Sequence, residues 1–259
     1  MPSTLLVTVK DRIASISINR PDRRNVLNSA LIRELQEAIS NAGKDEAVRI
    51  VVLTGTGSAF CGGMDIQELE QSISKTHEDN VHDANELMRL LHLIQGLRKP
   101  VIAMVNGPAM GGGCGLAAAC DFVFAAETSA RFGVPEVRLG FVPAVIMLFL
   151  IRRMGEGRAR EFVLQGETAD AKKALLYGLA SRIVPDKDLS SEVTKFASDL
   201  ASTTSPSSIM LTKDLLHRIS GMGYREAVDF AVSMNAIARK TPDFKKGVES
   251  FLNKESLKW

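Results

Sequence analysis

Two alternating runs, Leu5–Val9 and Ile13–Ile18, open the chain, with the polar pair Asp11-Arg12 between them. Apolar residues at every second position fit strands with one buried face, so the pattern predicts a β-hairpin. From Asn28 the period changes. Leu31, Leu35, Ala38, Ile39 and Ala42 fall on one helical face, with Asn28 as N-cap and Gly43 as the expected stop. Leu87, Leu90, Leu91, Ile94 and Leu97 mark a second amphipathic helix, ended by Lys99-Pro100. The polar stretch Ser72–Asp83 before it reads as a mobile loop. Ile50–Leu53, Val101–Val105 and Phe122–Ala126 are unbroken apolar runs of strand length, and 200–259 is largely helical. Strands interleaved with helices predict an α/β fold.

Two of these strands lead into glycine-rich turns. Val101–Val105 is followed by Gly111-Gly112-Gly113 and a small-residue helix over Leu116–Cys120. Ile50–Leu53 is followed by Gly55 through Gly63 and a helix from Ile66, for which Asp65 is the cap. Glycine lets a ligand approach the backbone, and the first amides of a helix point outward without partners. Each turn alone reads equally well as a tight strand-to-helix connection. Together they fit two amide donors aimed at one developing oxyanion.

Composition narrows the class. A chain of 259 residues with 45% hydrophobic and 24% charged residues is ordinary for a globular protein. No apolar run approaches the roughly 18 residues of a membrane span, and the N-terminal pattern is that of a strand rather than a signal peptide. Net charge +2 gives no argument for nucleic acid. Cys61, Cys114 and Cys120 have no metal-ligand spacing with the histidines, and three thiols cannot all pair, so a reducing, cytoplasmic setting is expected. The last three residues are not a peroxisomal address.

The chain resembles the enoyl-CoA hydratase/isomerase (crotonase) superfamily in five ordered places. Ala59-Phe60-Cys61-Gly62-Gly63-Met64-Asp65-Ile66 is similar to its first signature, and Asn106-Gly107 through Cys120-Asp121 to its second. Pro135-Glu136-Val137-Arg138-Leu139-Gly140-Phe141-Val142-Pro143 is similar to its third. Asn19-Arg20-Pro21 with Asn25-Val26-Leu27-Asn28 looks like the opening motif, and Phe244–Lys254 like the closing helix. The resemblance implies a ββα spiral core over 1–197 and a C-terminal helical segment over 198–259 that packs in trimers or hexamers. It also implies an acyl-CoA substrate and no cofactor beyond the coenzyme A that the substrate carries.

Carried over residue by residue, the resemblance implies the amides of Cys61 and Gly112 as oxyanion donors and Glu136 as acid/base. Gly63, Gly111, Gly115 and Pro135 would shape the site, and Arg24, Val26, Asp65 and Ile66 would contact coenzyme A. Phe251 and Lys254 would reach the nucleotide from the last helix, of the same subunit or a neighbour. A nucleophilic Cys61 lacks a histidine in either glycine turn. The sequence departs from familiar hydratases at Gly115, where a first glutamate is expected. One glutamate suffices to move a proton between two carbons, which favours isomerisation. The run 135–153 looks instead like a hydratase subgroup that takes branched and dicarboxylic chains such as 3-methylglutaconyl-CoA. Hydratase is the first reading, isomerase the second, and a non-catalytic acyl-CoA-binding homologue the third. Ala144, Val145, Ile146 and Leu148 are candidates for an acyl pocket, and Arg138, Arg152 or Arg153 for meeting a distal carboxylate.

Overall fold

The computed structural model describes residues 3–259. β1 (Leu5–Lys10) and β2 (Ile13–Ile18) form the expected antiparallel hairpin, with Asp11 and Arg12 both at positive φ in the turn. α1 (Ser29–Lys44) follows, its first turn capped by Asn28, which accepts from the Leu31 amide at 2.9 Å. Gly43 does not stop the helix; it ends one residue later, with Asp45 as C-cap. β3 (Ile50–Gly55) is buried along its whole length. α2 (Ile66–Ser72) is capped by Asp65, as expected.

α3 (His77–Gly96) begins inside the stretch expected to be a mobile loop. The Thr76 hydroxyl accepts from the Asp79 amide while the Asp79 carboxylate accepts from the Thr76 amide, a reciprocal cap that starts a helix in polar sequence. Hydrophobic patterning misses this because the first two turns of α3 are mostly exposed and carry no apolar stripe.

β4 (Val101–Val105), β5 (Pro108–Met110), α4 (Gly112–Ala119) and β6 (Phe122–Ala126) carry the second glycine turn. The helix starts at the glycine triplet itself, earlier than Leu116. β7 (Arg131–Gly133) leads into a 3-10 turn over Pro135–Leu139, then α5 (Ala144–Met154) and α6 (Glu156–Gln165). β8 (Thr168–Asp170), α7 (Ala171–Leu176), β9 (Arg182–Val184) and α8 (Leu189–Thr203) complete the core. α9 (Pro206–Ile219), α10 (Tyr224–Ala238) and α11 (Pro242–Leu252) form the helical C-terminal region. α8 runs unbroken through residue 198, so the division between core and C-terminal helices falls at Thr204-Ser205 rather than at 198.

The main sheet has the order β1-β2-β3-β4-β6-β9, parallel throughout except for the opening hairpin. A second, small sheet joins β5, β7 and β8. The glycine turns leave the C-terminal ends of β3 and β4, where parallel sheets open a ligand crevice. The last helices dock at the opposite ends of the strands. Arg49, just before β3, donates to Thr204 O at 2.8 Å, and Arg12, just before β2, donates to Trp259 O at 2.8 Å. Among the described residues no helix is long and apolar enough to cross a membrane.

Candidate active site

The two glycine turns are laced backbone to backbone. Cys61 N–H donates to Pro108 O at 3.1 Å, and Met110 N–H donates back to Cys61 O at 2.9 Å. Gly63 adopts φ +95°, and a Cβ there would stand 2.8 Å from Met110 O. Only glycine meets both demands. Asn25, fully buried, holds the first turn by donating to Thr56 O (2.9 Å) and Ala59 O (2.7 Å).

This lacing corrects the expected donor pair. The Cys61 amide is consumed by Pro108 and is not free for a ligand. Gly62 N–H is spent on Arg24 O at 2.8 Å, and Gly63 N–H faces the Cys61 sulfur. Met64 N–H makes no hydrogen bond among the described residues, nor does Gly112 N–H at the start of α4. Both residues line one cavity. Sequence alone does not reveal which amide of a turn is used up by a neighbouring segment, so Met64 was missed. Burial pushes the Cys61 and Cys120 thiols up to about 12, and Cys114 is raised by burial and the nearby Glu136. All three stay protonated near neutrality, which removes the nucleophile reading.

Glu136 sits in the 3-10 turn that Pro135 begins. Its Oε1 lies over the second glycine turn: a Cβ at Gly111, which has φ +48°, would be 2.8 Å away. Its Oε2 is buried without a hydrogen-bond partner among the described residues. Burial pushes the carboxyl above the usual glutamate range, opposed by a hydrogen bond from its own amide. A cavity of about 420 Å³ opens beside it, walled by Leu87, Val142, Val145 and Ile146.

A second cleft, of about 540 Å³, is lined by Arg23, Arg24, Val26, Asp65, Ile66 and Met64, and so contains the four residues expected to contact coenzyme A. Met64 belongs to both walls, at the junction of cleft and cavity. Asp65, buried, faces Arg20 of the opening motif at 3.6 Å and Arg23 at 3.5 Å, neither of which is among the residues expected to contact coenzyme A. Gly115 is packed under Ile146 rather than open to the cavity.

Phe251 and Lys254 are not brought to this cleft. α11 docks at the other end of the strands through Asp243, which accepts from Ser205 and Ser207 (both hydroxyls at 2.7 Å), so these residues cannot serve their own subunit. The three arginines expected to meet a distal carboxylate are also elsewhere. Arg138 donates to Gln165 O (3.1 Å), Arg152 to Gln95 (3.1 Å) and Arg153 to Leu179 O (2.8 Å). Leu148 points away as well, whereas Ala144, Val145 and Ile146 do line the cavity.

Residues 8–259 match the profile of the enoyl-CoA hydratase/isomerase family. A putative enoyl-CoA hydratase of Thermus thermophilus is 39% identical over 95% of this chain and 96% of its own length. The 2,3-dehydroadipyl-CoA hydratase of Escherichia coli is 33% identical over 98% and 97%. A crystal structure of a putative enoyl-CoA hydratase/isomerase (crotonase) from Legionella pneumophila superposes with a TM-score of 0.89 at 34% identity, covering 98% of both chains. With its glycine turns, the glutamate of the Pro135-Glu136 turn and its sheet order in place, the chain belongs to the enoyl-CoA hydratase/isomerase family and has the crotonase-type α/β fold.

Proposed function

We propose that this protein hydrates the C2=C3 double bond of an acyl-CoA thioester, with the amides of Met64 and Gly112 as oxyanion donors and Glu136 as the single acid/base. The observation that carries the reading is the unpartnered, buried Oε2 of Glu136 in the cavity that both free amides share. A carboxylate oxygen left without a donor in a largely apolar wall is poised to accept a proton. The thioester carbonyl accepts from the two amides at the junction, with coenzyme A in the arginine-lined cleft and the acyl chain beside Leu87 and Ile146. Glu136 takes a proton from water as its oxygen bonds C3, then returns that proton to C2. No separate cofactor enters this scheme.

The cavity favours a neutral acyl chain. Its lining contains no Arg or Lys and does contain Glu68, Asp83 and Glu86. Asp83 and Glu86 are paired with Lys75 and Arg89, so what argues against the dicarboxylic substrates considered from the sequence is that the lining offers no cation to a distal carboxylate. The free, buried thiols fit a reducing, cytoplasmic setting.

Δ3-Δ2 isomerisation is the second reading, favoured by the absence of a carboxylate at Gly115. Incubation with 2-enoyl-CoA and 3-enoyl-CoA in ¹⁸O water separates the two: label at C3 means hydration, and migration without label means isomerisation. Glu136→Gln lowers turnover of either substrate by roughly 10²–10⁴ while leaving acyl-CoA binding intact. Because the base must be ionised, the acid limb of the wild-type kcat/KM profile lies above the ordinary glutamate value of 4.5. Near-full activity in the Gln variant overturns the assignment. Acyl-CoA binding by a wild-type protein that turns over neither substrate supports the non-catalytic reading.

A further inference from the structure

We propose that Ile146 sets how the site divides its chemistry between water addition and double-bond migration, by filling the place beside Glu136 where a second polar group would hold water. The inference rests on Glu136 as acid/base. α4 places Gly111 and Gly115 one turn apart, joined by a 3.0 Å hydrogen bond from Gly115 N–H to Gly111 O. Glu136 covers the first glycine, and Ile146 covers the second. A Cβ built on Gly115 would stand 2.3 Å from Ile146 Cγ2, 2.9 Å from its Cβ and 3.5 Å from Leu91 Cδ1. Gly115 is therefore not a gap left by a missing side chain. Ile146, only 2% exposed, occupies that space, and no side chain enters at 115 unless Ile146 moves.

A carboxylate thus stands over one turn of α4 and hydrocarbon over the next, and both Glu136 and Ile146 line the same cavity. A buried water is held by two to four polar partners. Ile146, Leu87 and Val142 offer no side-chain hydrogen-bond partner to a water on their part of the cavity wall, which leaves Glu136 as its anchor there. Migration needs no water. Glu136 takes a proton from C2 of a 3-enoyl thioester, the electron pair shifts the double bond from C3=C4 to C2=C3, and the acid returns the proton to C4. Hydration needs a water held beside Glu136, and Ile146 offers that water no second partner, so the side chain at 146 controls the ratio of the two rates.

The test compares Ile146→Thr with Ile146→Val, which are close in size and differ in one hydroxyl. The ratio read is ¹⁸O-labelled hydration of a 2-enoyl-CoA over migration of the matching 3-enoyl-CoA. Thr supplies a second partner for water and raises this ratio by roughly fivefold or more over Val. Equal ratios in the two folded variants overturn the proposal. The steric premise has its own check in thermal unfolding. Gly115→Ala lowers Tm when Ile146 is present and lowers it much less in an Ile146→Ala background. A Gly115→Ala protein as stable as the wild type also overturns it. A wild type that turns over neither substrate removes the Glu136 reading, whereas wild-type turnover with a ratio indifferent to residue 146 removes this inference alone.

Discussion

At the scale of single residues, the site depends on which backbone amides are already used. Cys61, Gly62 and Gly63 direct their N–H groups to Pro108 O, Arg24 O and the Cys61 sulfur, leaving Met64 as the first free donor after the glycines. The parallel bridge between Leu27 and Met64 runs through Gly63 O and the Asp65 amide, so it does not use the Met64 N–H. Met64→Pro therefore removes one oxyanion donor without breaking that bridge. Its kcat falls by roughly 10²–10³. Cys61→Ala, which deletes a protonated buried thiol, keeps most of the activity. The reverse pattern in steady-state kinetics would return the donor role to residue 61.

At the scale of elements, the site is a product of how two strand-to-helix connections are held together. Asn25 stands in the short segment between β2 and α1, at φ +57°, and is fully buried. Its amide donates to two carbonyls of the first glycine turn while its carbonyl oxygen accepts from Arg20 N–H at 2.8 Å. Removing it leaves buried carbonyls unsatisfied. Asn25→Ala is expected to cost about 1–3 kcal/mol in chemical denaturation, with lowered activity as the Met64 amide loses its support. Unchanged stability would mean that the turn is held by the Cys61–Pro108 lacing alone. The same scale explains the missed start of α3. Its polar first turns are specified by the Thr76–Asp79 cap, a local signal that hydrophobic periodicity does not register.

At the scale of the whole molecule, the cleft lies at the C-terminal ends of the parallel strands and the last helices at the other end. Exposed apolar side chains run along those helices, among them Tyr224 (88% exposed), Val232 (66%), Phe251 (82%) and Leu252 (72%). Their number supports the proposal that copies of the chain associate as trimers or hexamers, with Phe251 and Lys254 serving a neighbour's coenzyme A cleft. Sedimentation should give a trimer or hexamer, and Phe251→Asp with Leu252→Asp should shift it toward monomer and raise KM for acyl-CoA. A fully active monomer contradicts this. The sequence by itself determined the hairpin, the caps at Asn28 and Asp65, the two glycine turns and the lone acid/base candidate Glu136. Each is written in local periodicity, in a capping residue or in a motif of a few consecutive residues. Only the tertiary structure decided that Met64 rather than Cys61 offers the free amide, that Ile146 fills the space over Gly115, and that Phe251 lies far from its own cleft. Those three facts depend on which segments distant in sequence press against one another, and close packing between such segments leaves no periodic trace in either of them.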